Sequence, residues 1–178
     1  MATPPSPEWG REKLPRLEMV WLLASVVLVV IVFSAWMLLW HVFGYQNSVG
    51  EVYRVHPLDF AARAEEFTMK YKVGEEHGFA VVRPPPGGDV YITASQFTFT
   101  PEVIVLKAGV EYRLHISSVD VQHGFSILNP FQWVLQIYPG YEYILKFVPT
   151  KPGTYYIVCN EYCGPLHHKM VAKVVVEA

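Results

Sequence analysis

A long uncharged stretch near the start of the chain is the feature that most constrains its fold. Residues 19–43 contain no Asp, Glu, Lys or Arg and read MVWLLASVVLVVIVFSAWMLLWHVF. A helix over this stretch, rising about 1.5 Å per residue, would be about 37 Å long. That length crosses a hydrocarbon core of about 30 Å with some tilt. We therefore predict one transmembrane helix over residues 19–43.

A cleaved signal peptide is the alternative interpretation of this stretch. The apolar region of a signal peptide spans roughly 7–15 residues and precedes a small-residue cleavage site. Here the apolar run is longer and ends in Trp40, His41 and Phe43, which is typical of an aromatic belt at a membrane interface. These features favour an uncleaved anchor in the lipid bilayer.

Basic residues near the span predict its orientation. Arg11, Lys13 and Arg16 closely precede the span, whereas only Arg54 lies at a similar distance after it. Cytoplasmic flanks of transmembrane helices carry the excess of Lys and Arg. We therefore predict a single-pass protein of the plasma membrane, with residues 1–18 as a cytoplasmic tail and the rest of the chain outside.

Residues 44–88 are predicted to form a connector after the span. The connector contains a moderately helical stretch, residues 59–71, which we interpret as a short surface helix or loop. It closes in the Pro-Gly run of residues 84–88, which breaks regular structure.

From residue 89 onward the apolar pattern has a period of two. Short segments rich in β-branched and aromatic residues are separated by turn signals such as Ala108-Gly109 and Pro152-Gly153, the pattern of successive strands. With no long helix between them, these segments predict an all-β antiparallel sandwich or barrel over residues 89–178. The predicted strands are residues 90–94, 102–106, 112–118, 124–128, 143–147, 154–158 and 171–176.

The charge balance argues against one class of partner. The formal net charge is −2, and the sequence contains no stripe of basic residues. Binding to nucleic acid depends on such a basic surface, so we expect no nucleic-acid partner.

Both cysteines of the chain fall in one short loop that precedes the last predicted strand. The loop reads Cys159-Asn-Glu-Tyr-Cys163-Gly-Pro-Leu-His167-His168-Lys-Met170. It supplies two thiols, an imidazole and a thioether, which are soft or borderline donors of the kind that copper prefers. Strands at both ends of such a loop can hold several ligands in fixed directions.

Three interpretations of this loop remain open. A disulfide between Cys159 and Cys163 suits an exported protein, but it would close a very short loop, which stabilises least. It also leaves His167 and Met170 without a role. Structural zinc sites favour Cys and His at other spacings. Copper suits the whole donor set, because blue-copper sites combine His, Cys and Met and a second thiolate can bridge two metals.

A copper site of this kind requires a second histidine from outside the loop. His123 is our choice, because it lies in a turn at a strand end with Gly124 beside it, which allows close approach. His115 alternates with Leu114 and Ile116, so we expect it to face solvent. The remaining candidates lie near the membrane or in the connector and are His41, His56 and His77.

The histidine and the loop together resemble a known family. His123-Gly-Phe, followed after 36 positions by a C-x-E-x-C-x-x-x-H-x-x-M loop, resembles the CuA domain of cytochrome c oxidase subunit II. A subunit II with one anchor is typical of the ba-type (B-family) haem-copper oxidases. Further likeness lies at strand ends and turns, namely Phe99-Thr-Pro101-Glu, Lys107-Ala-Gly109, Pro139-Gly140 and Lys151-Pro-Gly153-Thr-Tyr155.

The resemblance implies a role for each donor in a binuclear copper centre, CuA. It implies that Cys159 and Cys163 bridge two copper ions through their sulfurs, and that His123 and His167 each complete one copper. Met170 would be a weak axial ligand to one copper, and the backbone carbonyl of Glu161 a weak ligand to the other. It implies no ligand role for His168, which we expect to support a ligand or to be exposed.

The resemblance also implies a fold and a function. The fold would be a cupredoxin-like Greek-key β-sandwich or barrel. The chain would take electrons from cytochrome c and pass them to the haem-bearing subunit I of a terminal respiratory oxidase, which reduces oxygen to water. It would be an enzyme only as part of that complex. Aromatic residues that could lie near the copper loop, in an apolar patch for cytochrome c, are Phe97, Phe99, Phe131 and Trp133.

Two alternative functions use a similar site. The CuA subunit of a nitric oxide reductase shares the same module, and the sequence separates it poorly from an oxidase subunit. A membrane-tethered copper delivery protein would instead need an exposed, exchangeable site, whereas donors enclosed by a sheet suit permanent binding.

Overall fold

The computed structural model describes residues 13–44, 50–128 and 133–178, with the backbone alone for Leu128 and Trp133. The chain divides into two compact units, Met1–Gln46 and Asn47–Ala178. Each unit is described by itself below.

The first unit is built on one continuous helix, α1, over Arg16–Phe43. Its middle, Val29–Phe33, is a π-helical turn between the α-helical segments Arg16–Leu28 and Ser34–Phe43. Its apolar side chains are exposed along the whole length. By length and composition α1 can cross a membrane, and it is the one such helix among the described residues. The helix predicted over residues 19–43 is therefore present and begins three residues earlier.

The second unit consists of two packed β-sheets and one helix. One sheet, here sheet A, has the strand order β1-β10-β7-β4-β5, and the other, sheet B, has the order β2-β3-β6-β12-β11-β8-β9. The elements are β1 (Glu51–Arg54), α2 (Pro57–Tyr71), β2 (Lys72–Glu76), β3 (Phe79–Val82), β4 (Asp89–Ser95), β5 (Thr98–Thr100), β6 (Val103–Lys107), β7 (Tyr112–Ser118), β8 (His123–Leu128), β9 (Trp133–Ile137), β10 (Tyr141–Phe147), β11 (Gly153–Val158) and β12 (Val171–Glu177), with a 3₁₀ turn at His167–Lys169 before β12.

All seven predicted strands are present, but the expectation of an antiparallel sandwich is wrong in part. The strand pairs β4–β7, β3–β6 and β6–β12 are parallel. The reason is that the chain repeatedly crosses between the two sheets. It leaves sheet A after β5, adds β6 to sheet B, and returns to place β7 beside β4 in the same direction. Such crossovers produce parallel neighbours, whereas hairpins do not.

The core lies between the two sheets and continues to the cysteine loop. Alternating apolar residues of the strands meet there, and Ile92, Ile116 and Ile157 are fully buried. Burying each such side chain stabilises the folded state by about 1.5–3 kcal/mol relative to leaving it exposed. The same buried cluster includes Cys159 and Met170, so the predicted ligands lie at one end of the core.

Helix α2 covers the outer face of sheet A. Its buried residues Phe60, Ala64 and Phe67 share one face at helical spacing. The ring centroids of Phe60 and Phe67 lie 6.0 and 5.9 Å from that of Tyr91 on β4. The stretch interpreted as a short surface helix or loop is therefore an amphipathic helix that packs on the sheet.

This packing overturns the expectation that His115 faces solvent. His115 is only 5% exposed, and its ring stacks on Tyr91 with centroids 4.5 Å apart. Its Nδ1 lies 2.6 Å from Oε1 of Glu142, which is also buried. Alternation along β7 places His115 on the outer face of sheet A, but α2 shields that face from water.

Candidate metal centre

The predicted donors come together where β8 begins and where β11 is connected to β12. Strands β11 and β12 pair up to Val158 and Val171, and the N–H of Cys159 donates to the carbonyl of Met170 at 3.2 Å. The loop between Cys159 and Met170 is therefore closed at its base by the sheet. His123, the first residue of β8, lies beside it.

A pair of buried cysteine sulfurs forms the middle of this site. The Sγ atoms of Cys159 and Cys163 are 3.8 Å apart, and both thiols are free. A disulfide would require about 2.05 Å. His123 joins the two cysteines in a group whose donor atoms all lie within 4.8 Å of one another. These atoms are close enough to share a metal ion and are not joined to each other.

The other predicted donors surround the same two sulfurs. On one side, Nδ1 of His123 lies 3.9 Å from Sγ of Cys159, whose thiol also donates to the carbonyl of Glu161 at 3.2 Å. On the other side, Cys163 Sγ lies 3.6 Å from Nδ1 of His167 and 3.8 Å from Sδ of Met170. Each sulfur thus has one imidazole and one weaker donor beside it.

Two glycines allow the backbone to come this close. A Cβ on Gly124 would lie 2.0 Å from Oδ1 of Asn160 and 2.6 Å from the backbone nitrogen of Glu161. A Cβ on Gly164, whose φ is 140°, would lie 2.8 Å from the ring of Phe97. The close approach predicted at Gly124 is therefore present, and Gly164 provides a second one.

The 3₁₀ turn directs the last two donors toward the sulfurs. It is fixed by hydrogen bonds from the N–H of His167 to the carbonyl of Gly164 at 3.0 Å and from the N–H of Met170 to the carbonyl of His167 at 3.1 Å. One helical turn separates the two side chains, so both lie on the same side. His168, between them in sequence, is exposed, as expected.

Asp120 orients His123, and the sequence analysis did not identify it. Its Oδ1 lies 2.8 Å from Nε2 of His123, whose side chain is fully buried. A proton on Nε2 leaves the lone pair on Nδ1, the atom that faces Cys159. Burial acts to raise the pKa of Asp120, but hydrogen bonds from His123 and from the N–H groups of Gln96 and Val121 lower it. Its place three residues before His123 is the one signal in the sequence.

The thiol of Cys163 has a raised pKa. Burial, together with the neighbouring Cys159, raises the pKa of Cys163 to about 11. Because the thiolate is the metal ligand, binding must displace this proton. A copper ion held by this cysteine would supply the positive charge that favours its thiolate form.

The aromatics near the loop separate into different environments. Phe97 is half-buried against Gly164, whereas Phe99 is fully buried and packs edge-on against Phe125. Phe131 and the side chain of Trp133 lie outside the described residues. An aromatic that the sequence analysis missed, Tyr162, is 78% exposed. Its ring centroid lies 5.9 Å from that of His167, and its place between the two cysteines was the available signal.

A two-sheet β-sandwich with His, Cys and Met donors gathered at one end defines a cupredoxin-like domain, and these donors suit copper. Residues 88–178 match the family model described as "Cytochrome C oxidase subunit II, periplasmic domain". The chain belongs to this cytochrome c oxidase subunit II family.

Individual relatives support the same assignment. Two proteins named cytochrome c oxidase subunit 2, both from Thermus thermophilus, are 34% identical over 99 residues, or 55% of this chain. The matched region spans 73% of one relative and 58% of the other. By name, these relatives are subunits of an oxidoreductase complex.

A solved structure supports the fold. A chain from a cryo-EM structure of a heme-copper terminal oxidase dimer is 22% identical and has a TM-score of 0.52. The match covers 91% of this chain and all of that one. A periplasmic family domain together with one apolar N-terminal helix fits a single-pass membrane protein with its domain on the outer side.

Proposed function

We propose that the second unit holds a binuclear CuA centre and that the chain is the electron-accepting subunit of a haem-copper terminal oxidase of the ba type. The observation that carries the proposal is the pair of unbonded sulfurs, 3.8 Å apart, with one imidazole and one weaker donor beside each. Cys159 and Cys163 would hold both coppers through their sulfurs. His123 and His167 would each complete one copper, with Met170 as a weak ligand to one copper and the carbonyl of Glu161 as a weak ligand to the other.

When bound, the copper pair supplies one-electron redox chemistry in which both ions share the change in charge. The residues of the chain keep the site from changing shape. The loop is closed by the sheet at Cys159 and Met170, and Asp120 fixes the ring of His123. Restrained ligands reduce the rearrangement that accompanies electron transfer.

Cytochrome c is the proposed electron donor and subunit I of the oxidase the proposed acceptor. Tyr162 and Leu166 are exposed in the loop itself, and they give an incoming donor an apolar surface close to the copper. Helix α1 anchors the chain in the lipid bilayer, with the N-terminus cytoplasmic and the copper domain on the periplasmic side. Docking on such a surface depends weakly on ionic strength.

The proposal is tested on the full chain, purified in detergent and loaded with copper. We expect a purple protein whose electron paramagnetic resonance spectrum shows one unpaired electron shared by two copper nuclei, as a multi-line hyperfine pattern. A spectrum of a single copper, or a disulfide between Cys159 and Cys163 in the active protein, would refute the binuclear centre.

Burial of the donors supports this function over copper delivery. His123 and Met170 are fully buried, and the two cysteines are 4% and 5% exposed, which suits permanent binding. The oxidase role is separated from a nitric oxide reductase role by purifying the complex that contains this chain. We expect a large haem subunit and turnover with oxygen. Turnover with nitric oxide alone would instead assign the chain to a reductase.

A further inference from the structure

The turn between β4 and β5 contacts both segments that supply the predicted ligands. It begins after Ser95, and Gln96 is its first residue. The backbone N–H of Gln96 donates to Oδ2 of Asp120 at 2.7 Å. The other oxygen of that carboxylate lies 2.8 Å from Nε2 of His123. Through its backbone, Gln96 therefore supports the residue that orients His123.

The side chain of the same residue contacts the cysteine loop. Nε2 of Gln96 donates to the backbone carbonyl of Cys163. The next residue in the loop, Gly164, lies so close to this turn that a Cβ would come within 3.0 Å of Nε2 of Gln96 and 2.8 Å of the ring of Phe97. The turn thus packs against the loop at the position of its second sulfur.

These contacts join two parts of the site that are distant in sequence. His123 is on β8, and Cys163 lies in the middle of the loop, away from its base at Cys159 and Met170. The loop residues near Cys163 have no strand partner. A hydrogen bond to the Cys163 carbonyl therefore restrains the loop where the sheet does not.

We propose that Gln96 is a positioning residue that holds Cys163 against Cys159. Its side-chain amide fixes the Cys163 carbonyl, while its backbone N–H fixes Asp120 and hence His123. The inference deepens the proposed function and rests on it for the identity of the metal. The hydrogen bonds of Gln96 involve only groups of the chain itself.

The test compares three variants of the full chain in detergent. Gln96→Met removes the amide donor at similar size, and Gln96→Glu replaces the donor by an acceptor that faces the Cys163 carbonyl. Ser95→Ala is the matched control, because it changes the preceding residue, which also stands at the start of the turn. Circular dichroism shows which variants are folded. If Gln96→Met does not fold, Gln96→Glu replaces it in both measurements.

The first measurement uses copper-free protein. We record the rate at which an aromatic disulfide reagent modifies the two thiols, because modification requires the loop to open. The side chain of Gln96 is exposed, and its hydrogen bond to the loop competes with water. We therefore expect the modification rate in Gln96→Met and Gln96→Glu to exceed that of the wild type by about threefold to tenfold, the equivalent of one hydrogen bond. Ser95→Ala should leave the rate unchanged.

The second measurement uses copper-loaded protein. We expect Gln96→Met to retain copper but to show altered hyperfine splitting and a shifted reduction potential, which a loss of general stability would not produce. Modification rates and spectra equal to those of the wild type, or equal effects in Ser95→Ala, would overturn the role of Gln96. If the wild type shows no copper-pair spectrum, the proposed function fails, while the thiol rates still decide the positioning role.

Discussion

The two sulfurs of the site differ in the groups that surround them. Cys159 lies at the base of the loop, where its backbone N–H pairs with Met170, and its thiol faces the Glu161 carbonyl. Cys163 lies inside the loop and contacts Met170 and His167 through its sulfur. Substitution of either sulfur therefore leaves a different set of donors for a metal.

We predict that Cys159→Ser or Cys163→Ser abolishes the two-copper spectrum. A serine hydroxyl remains protonated and does not bridge two copper ions, so electrons can no longer be shared between them. The measurement is the electron paramagnetic resonance spectrum and the copper content of the full chain. A purple, fully active variant would contradict the prediction.

Met170→Leu should change the metal site less than the loss of either cysteine does. The thioether of Met170 is fully buried, 3.8 Å from Cys163 Sγ, and leucine fills a similar volume at a cost below about 1.5 kcal/mol. We expect copper to be retained and the reduction potential to shift, because axial ligands tune redox sites. Redox titration of the variant against the wild type measures the shift, and an unchanged potential would exclude Met170 as a ligand.

The structure brings six predicted groups together around the two sulfurs. The donor types of the loop and the glycine beside His123 indicated five of these groups, and the family resemblance added the carbonyl of Glu161. The residues that support them could not be named in this way. Asp120 and Gln96 act through hydrogen bonds whose partners are set by turn geometry, and no local pattern specifies such partners. His115 was assigned to the wrong environment because alternation along β7 does not reveal that α2 covers the strand.

At the scale of elements, helix α2 packs over a group of polar residues on sheet A. The buried pair of His115 and Glu142 lies under the helix, and Arg63 of α2 reaches Glu142 at 3.7 Å. Oδ1 of Asp89 lies 3.3 Å from the other ring nitrogen of His115. The helix is thus held to the sheet by both apolar and ionic contacts.

Glu142→Ala should destabilise the second unit by about 3 kcal/mol, because removing one partner leaves the other buried polar group unpaired. Glu142→Gln retains an acceptor for His115 and should cost less, about 1–2 kcal/mol. Urea unfolding followed by circular dichroism gives both values. Glu65→Ala, at an exposed position on α2, is the control and should be neutral. An equally neutral Glu142→Ala would show that the pair adds no stability.

Two ion pairs connect β12 with β2 and with the residue that follows β3, and both respond to acid. Glu76 pairs with Lys173, and Glu177 pairs with Arg83 through two hydrogen bonds, one of 2.8 Å. These hydrogen bonds lower the pKa of Glu76 and of Glu177 below the ordinary value of 4.5. The two pairs therefore stabilise the folded chain fully when the pH is above the ordinary pKa of a glutamate. This stabilisation is lost as the pH falls through the lowered pKa of the folded chain.

We accordingly predict that the unfolding free energy of the metal-free chain falls as the pH decreases below about 4.5. The double variant Glu76→Gln, Glu177→Gln should show a smaller fall, since neither amide titrates. Urea titrations at a series of pH values measure both slopes. Identical slopes would mean that the two glutamates have the same pKa in the folded and the unfolded chain, which would contradict the prediction.

Sequence patterns identified seven strands and missed β1, β2, β3, β5 and β9. β2 reads KVGEE and is exposed along nearly its whole length, so it has no alternation of apolar and polar residues. β5 has three residues, and β1 is exposed throughout. The parallel pairs were also beyond local patterns, because the period of a strand does not specify which neighbour it pairs with.

At the scale of the whole molecule, the proposed topology separates a cytoplasmic end from an outer domain. We predict that protease added to spheroplasts digests residues of the second unit, since the positive residues before α1 retain the N-terminus inside. Immunoblotting of the remaining fragments measures the digestion, and a cytoplasmic protein serves as the control for intact membranes. Full protection of the second unit would reverse the assigned orientation.

The position of β12 has a consequence for how the protein is made. This strand pairs with both β6 and β11 and so links the two halves of sheet B. Until residues 171–177 leave the ribosome and the translocation channel, those halves have open edges of the kind that aggregate. The cysteine loop is synthesised before the strand that closes it, so we expect its donors to be held together only once β12 has paired with β11.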